Sequence, residues 1–196
     1  DAQQVVQQAI LQVARHPRAL GYTYPARAYL YIPGPFPQHN KQDEIATLTG
    51  EQQLEKALLE SLRHLANDIQ FERIMFLRYD QPSHSLKMRY QIGLEDKHPL
   101  RKHIVALEPG SFFALLTSRP QSFHAPASTR AQLARKYQDE FFTHLGEGHF
   151  ACMSVFSGHK LAGVFFVDNY RSNKAIDDDT YHRFKETVFR VSQLTF

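Results

Sequence analysis

The residues of this chain best able to do chemistry lie in the stretch THLGEGHFACM. His144, Glu147 and His149 fall close together there and offer imidazole and carboxylate donors of the kind zinc accepts. Their spacing is not the i, i+4 pair that puts two ligands on one helical face, and Gly146 and Gly148 interrupt the segment. No metal is expected. Cys152 is the only cysteine, which excludes an intrachain disulfide framework and a cysteine-based zinc site. As a nucleophile it would need a neighbouring base. In FACMSVF it alternates with Ala151 and Met153, so a buried, inert thiol is expected. General acid–base work needs a partnered group in a pocket, and the 11 histidines show no Asp-His or Ser-His pairing. His98 and His103 flank a strand start and are expected at the surface. Asp177, Asp178 and Asp179 open a helix, where acids meet the positive end of the helix dipole. They lack the Asp-x-Asp-x-Asp-Gly spacing of a calcium loop. No catalytic residue is therefore assigned, the chain is not expected to be an enzyme, and no cofactor is identified.

Binding chemistry is better represented. Phe112, Phe113, Phe123, Tyr137, Phe141 and Phe142 crowd one region of the chain, and Arg89 and Tyr90 come from a strand expected to face it. Aromatic walls with a few polar groups suit a small-molecule pocket. Arg101, Lys102 and His103 could add a basic lip for an anion. The competing reading is that the rings fill a core.

These residues need elements to hold them. Val5, Val6, Ala9, Ile10 and Val13 recur at helical spacing, and Pro17, Pro25, Pro33, Pro35 and Pro37 then forbid a long helix. Residues 1–48 thus read as a helix followed by a Pro-rich linker or arm, with one short strand over 28–32. Thr49 can cap the next helix, with Gln52 in the capping-box position, and Leu54, Leu58, Leu62, Leu65 and Ile69 follow on one face. FERIMFLRYD, SLKMRYQIGLE and HIVALE read as three strands, the second alternating Leu86, Met88, Tyr90 and Ile92 against polar partners. SFFALLTSR is a short helix, PQSFHA an extended piece and STRAQLARKYQDEFFTHLG one helix stopped by Gly146. HFACMSVFSGHKLAGVFFVDN is a β-hairpin turning at Ser157–Lys160. A last helix, 178–196, sets Tyr181, Phe184, Val188, Val191 and Leu194 on one face. The order implies an α+β fold, a mostly antiparallel central sheet with the helices from both chain ends packed on one face, plus the N-terminal helical, Pro-rich extension. Residues 49–196 form the expected domain.

Composition narrows the class. The chain has 196 residues, 42% of them hydrophobic and 22% charged, which is globular rather than disordered. Net charge is +3 with the basic residues scattered among acids, and no block of five like charges occurs, so direct nucleic-acid binding is not expected. No apolar run reaches the roughly 18 residues of a membrane span, so no membrane partner is expected either. DAQQVVQQAI is not a signal peptide. With a single cysteine, a cytoplasmic setting fits. The opening lacks an initiator Met, and a piece of a longer protein is expected.

A helix followed by FERIMFLRYD, SLKMRYQIGLE and a late hairpin ending KLAGVFFVDN resembles a GAF domain over about Thr49 to Phe196. Gly163 to Asp168 match that family's last long strand, which carries a Gly, apolar residues and an Asp. PAS domains place their helices between the second and third strands; here they fall between the third strand and the hairpin, which favours GAF. PARAYLYIP, FFALLTSRPQ and the hairpin also resemble the C-terminal GAF-like part of bacterial signalling proteins that carry an upstream HDOD domain. The resemblance implies a non-catalytic regulatory or sensory domain that binds an unidentified small molecule, in a pocket roofed by the aromatic segment, and signals to an attached domain. The alternative it leaves open is a ligand-free dimerisation or interaction module, with a homodimer as partner. The signature of cyclic-nucleotide GAF domains begins at Asn173, Lys174 and Phe184, but Val188 and Phe189 stand where its acids belong. Cys152 lies in a strand rather than in the helical segment that anchors bilins, and one cysteine is too few for the sulfoxide-reducing members.

Overall fold

The computed structural model describes residues 50–137 and 139–193. The expected first helix, the Pro-rich arm, the Thr49 cap and Leu194 lie outside them. Helix α1 (Gly50–Asn67) buries Leu58, Leu62 and Leu65, the leucine stripe of the sequence. It ends at a turn in which Gln70 takes a φ of 67° and the Phe71 amide donates to the Leu65 carbonyl at 3.0 Å. Strands β1 (Arg73–Asp80), β2 (Ser85–Ile92) and β3 (Ile104–Ala106) follow, with a 3-10 turn at Pro99–Arg101 before β3. Next come α2 (Phe112–Leu116), β4 (Ser122–Ala125), α3 (Ala127–Tyr137) and α4 (Glu140–Leu145), and then the hairpin β5 (Phe150–Ser157) and β6 (Lys160–Asp168). Helix α5 (Asp178–Ser192) closes the described chain.

The six strands form one antiparallel sheet in the order β3-β2-β1-β6-β5-β4. Helices α1 and α5 share one face of it, sealing a core that includes Leu65, Ile74, Phe165, Tyr181 and Phe184. The short helices α2, α3 and α4 cover the other face over Met75, Leu86, Phe141, Phe150 and Phe166. Asp177 caps α5, its carboxylate accepting from the Thr180 amide at 2.8 Å, and this bond holds its pKa below the ordinary value. Asp177 thus has the structural role its position implied, and Asp178 and Asp179 lie in the first turn of the helix. The single helix expected over 128–146 is two. Asp139 ends the interruption by accepting from the Phe141 amide at 2.8 Å, so it caps α4.

Two β-bulges bend the sheet at the same level. In β2, Tyr90 pairs with Phe76 and Met88 with Leu77, which leaves Arg89 as an extra residue. In β6, Gly163 pairs with Val155 and Leu161 with Phe156, which leaves Ala162 as the extra one. A bulge reverses the side-chain alternation beyond it. Leu86 and Met88 accordingly join the face under α2–α4, whereas Tyr90 and Ile92 join the face under α1 and α5. The uniform alternation read from SLKMRYQI is therefore broken at Arg89.

Gly163 sits where β6 crosses β1 most tightly. A Cβ there would meet the Leu77 carbonyl oxygen at 2.2 Å and Phe76 Cζ at 2.8 Å. Backbone cannot yield as a flexible side-chain tip can, so Gly163→Ala is expected to destabilise the protein by about 1–3 kcal/mol, the usual cost of overpacking. Urea denaturation checks this; an unchanged midpoint would show that the two strands can separate freely.

Candidate functional site

The eight candidate binding residues fall into two groups on opposite faces. Phe112, Phe113, Phe123, Phe141 and Phe142 are brought together beneath α2–α4, each at most 4% exposed. Their rings pack edge to face: Phe112 lies 5.2 Å from Phe113, Phe123 and Phe142, and Phe113 lies 4.9 Å from Phe141. Such contacts are core packing of the strongest aromatic kind. Tyr137 borders the cluster 6.1 Å from Phe112, and burial pushes its hydroxyl up to about 12. Arg89 and Tyr90 do not face these rings. The bulge turns Tyr90 to the α1 side of the sheet, and both residues reach Glu55 on that helix. Arg101 donates to the carbonyls of Leu94 and Glu95.

Arg89 and Tyr90 instead border a cleft of about 210 Å³ between α1 and strands β1, β2 and β6. Its apolar wall is made by Leu54, Leu58, Phe76 and Ala162. Its rim is polar. Arg78 pairs with Glu51 at 2.9 Å and Arg89 with Glu55 at 3.0 Å. The Tyr90 hydroxyl also donates to Glu55. The bonds from Tyr90 and then Arg89 lower the Glu55 pKa, while burial and the neighbouring acid raise that of Tyr90. The rim carries two acids and two bases, a combination able to meet both ends of a dipolar molecule. Sequence periodicity missed this site because an extra residue in a strand leaves no mark in composition. The α1 acids were visible only as the solvated side of an amphipathic helix.

His144 and His149 have different ring neighbours. The His144 ring stands 6.1 Å from that of His103, whereas the His149 ring stands 6.3 Å from that of His124. Cys152 is buried, and desolvation raises its thiol pKa well above the ordinary value. A thiolate is strongly disfavoured there.

The end of the hairpin has a different role. Asp168 is completely buried and faces two buried guanidinium groups, Arg73 at 2.5 Å and Arg130 at 2.9 Å. Arg73 also donates to the Leu145 carbonyl at 2.6 Å and lies under the Tyr170 ring at 4.5 Å. Arg130 donates to the carbonyls of Leu145, Gly146, Glu147 and His149. The triad therefore ties β6, β1 and α3 to the loop between α4 and β5. Asn169 continues the job, accepting from the Glu72 amide and donating to the Lys174 carbonyl.

Comparison with protein-family models found no match, and comparison with curated proteins found none. Solved structures do match. A methyl-accepting chemotaxis protein, residues 122 to 287, superposes with a TM-score of 0.57 at 18% identity, covering 74% of this chain and 94% of that one. A GAF domain/HD domain protein from Geobacter sulfurreducens gives a TM-score of 0.58 at 14% identity, over 72% of this chain and 90% of that one. The GAF domain of a two-component sensor histidine kinase from Bacillus halodurans gives 0.53 at 15%, over 71% and 90%. At these identities the likeness fixes the GAF architecture and leaves the ligand to the residues themselves. No helix among the described residues is long and apolar enough to cross a membrane.

Proposed function

We propose that this chain is a non-catalytic sensory domain of a bacterial signal transduction protein, binding a small molecule in the cleft beneath α1. The observation that carries this reading is the cleft itself, an apolar wall under a rim of paired charges formed by the helix and the bulged strands. Of the candidate binding residues, Arg89 and Tyr90 would touch the ligand, and the phenylalanines would support the sheet from behind. Helix α1 lines the cleft and shares its face with α5, Arg183 of α5 donating to the Asp68 carbonyl at the end of α1 at 3.0 Å. A ligand that moves α1 would thus act on both helices. The chemotaxis protein and the two-component sensor histidine kinase that share the fold are signalling proteins by description. The resemblance of PARAYLYIP and FFALLTSRPQ supports an upstream HDOD-type output domain, joined through residues 1–48 to a GAF domain over 49–196 in the cytoplasm.

A dimerisation module without ligand is the second reading. The tight mutual packing of Phe112, Phe113, Phe141 and Phe142 favours it, because those rings pack against one another as core. A thermal-shift screen of the chain separates the two. The panel holds cyclic mono- and dinucleotides, other nucleotides, amino acids and organic acids. A ligand at a hundred times its dissociation constant is expected to add about 2.7 kcal/mol of stability, and Arg89→Ala should abolish the gain. If no compound shifts the midpoint and the chain sediments as a dimer, the interaction module is the better account.

A further inference from the structure

We propose that the cleft beneath α1 recognises a free α-amino acid with an apolar side chain, held by its carboxylate on Arg89 and its ammonium on Glu55. This rests on the sensory reading and names its ligand class.

Three observations converge. First, the rim is charge-balanced. Arg78 and Arg89 are already paired with Glu51 and Glu55. A simple anion that took Arg89 would strand the Glu55 carboxylate, and a simple cation that took Glu55 would strand the guanidinium. A zwitterion avoids both penalties, because its two ends replace each half of one ion pair with a partner of the right sign. All four rim side chains are about half exposed or more, and exposed pairs of this kind contribute little when closed. Opening one for a ligand is therefore inexpensive. Second, the wall behind the rim is apolar, with Leu54, Leu58 and Phe76 placed to receive a hydrocarbon or aromatic side chain. At about 210 Å³ the space is smaller than the clefts that hold drug-sized ligands and fits one small metabolite better than a nucleotide. Third, the sheet is distorted here twice. Arg89 and Ala162, the extra residues of two separate bulges, both line the cleft. Bulges concentrate where a strand must re-aim a side chain beside a site. One turns Tyr90 to the side on which Arg89 reaches Glu55, and the other puts a small residue against the space.

The test uses the full chain with L-leucine and L-phenylalanine as probes. The controls are 4-methylpentanoate and 3-methylbutylamine, which each keep the hydrocarbon and one charge of leucine. At least one amino acid is expected to raise the unfolding midpoint in the millimolar range, with each single-charge control at least about tenfold weaker, as fits the loss of a hydrogen bond to a charged group. Arg89→Gln and Glu55→Gln should each lose the shift while keeping the ligand-free midpoint. Ala162→Leu, which fills the space and leaves the charges in place, should lose it too. Amino-acid binding that survives Arg89→Gln overturns the proposal. So does a panel in which nucleotides or organic acids shift the midpoint and amino acids do not, although the sensory reading would then stand. If nothing shifts it, both fall together.

Discussion

Replacing Asp168 with Asn is expected to cost about 3–5 kcal/mol of stability, the usual loss when one partner of a buried ion pair is removed. Among the described residues, the Asp168 carboxylate is the anion paired with both guanidinium groups, which are 1% and 2% exposed. Without it, two cations face each other in a medium where they cannot recruit water. Their remaining partners, the carbonyls of Leu145, Gly146, Glu147 and His149, are dipoles rather than charges. The damage should be local as well as global. Amide exchange should rise first in the loop between α4 and β5, which Arg130 fastens. Arg130→Met, which removes the second cation along with its carbonyl bonds, gives the partner measurement. If Asp168 and Arg130 act as a pair, Asp168→Asn should cost less in the Arg130→Met background than alone. Urea denaturation of the four proteins reads this out. Additive costs, or a loss below about 1 kcal/mol for Asp168→Asn, would mean that the carbonyls alone suffice for the arginines.

That triad shows how far the sequence could be read. The hairpin was legible as a hairpin, because two apolar runs flank a short polar turn, in which Gly158 has a φ of 59°. The Asp at its end was legible as part of a family pattern. Its partners were not, since Arg73 and Arg130 lie 95 and 38 residues away and look like ordinary strand and helix cations. The helix of 18 residues was legible through the periodicity of its leucine stripe. So were the three strands and the closing helix. What periodicity could not register is a single inserted residue. The bulge at Arg89 breaks the alternation of β2, and that one step moves Tyr90 from the phenylalanine face to the α1 face, where Arg89 also reaches Glu55. The candidate site was therefore read as one group of eight and is two. The phenylalanines were assigned to the right region, and their role as core could be decided only by seeing ring against ring.

Acid should unfold this protein sooner than its carboxylates alone would require, and His124 is the reason. Its ring is 1% exposed, lies 4.9 Å from that of Tyr181 and faces His149 at 6.3 Å. Burial, then repulsion from His149, lowers its pKa from 6.5 to about 3, with Asp177 opposing and Lys185 adding to the fall. His149 is lowered too, by burial and by Arg130. Above pH 6.5 the imidazole is neutral in both folded and unfolded chains, so the site contributes no pH dependence there. Below it the unfolded chain takes up a proton that folded His124 refuses until about pH 3. Stability must then fall as pH falls through this window, at about 1.4 kcal/mol per pH unit for this histidine. Over the whole window the loss approaches about 4–5 kcal/mol, comparable with the total stability of many domains of this size. Native carboxylates add their own loss at the lower end, which is why the measurement is a difference. Urea denaturation of the native protein and of His124→Gln at pH 7.5, 6, 5 and 4 should give curves that converge as the medium becomes more acid. The amide is penalised at neutral pH for its poorer fit and has no proton to gain. Convergence of about 1 kcal/mol per unit between pH 6 and 4 is the expected result. Parallel curves would mean that folded His124 takes up its proton as readily as the unfolded chain does.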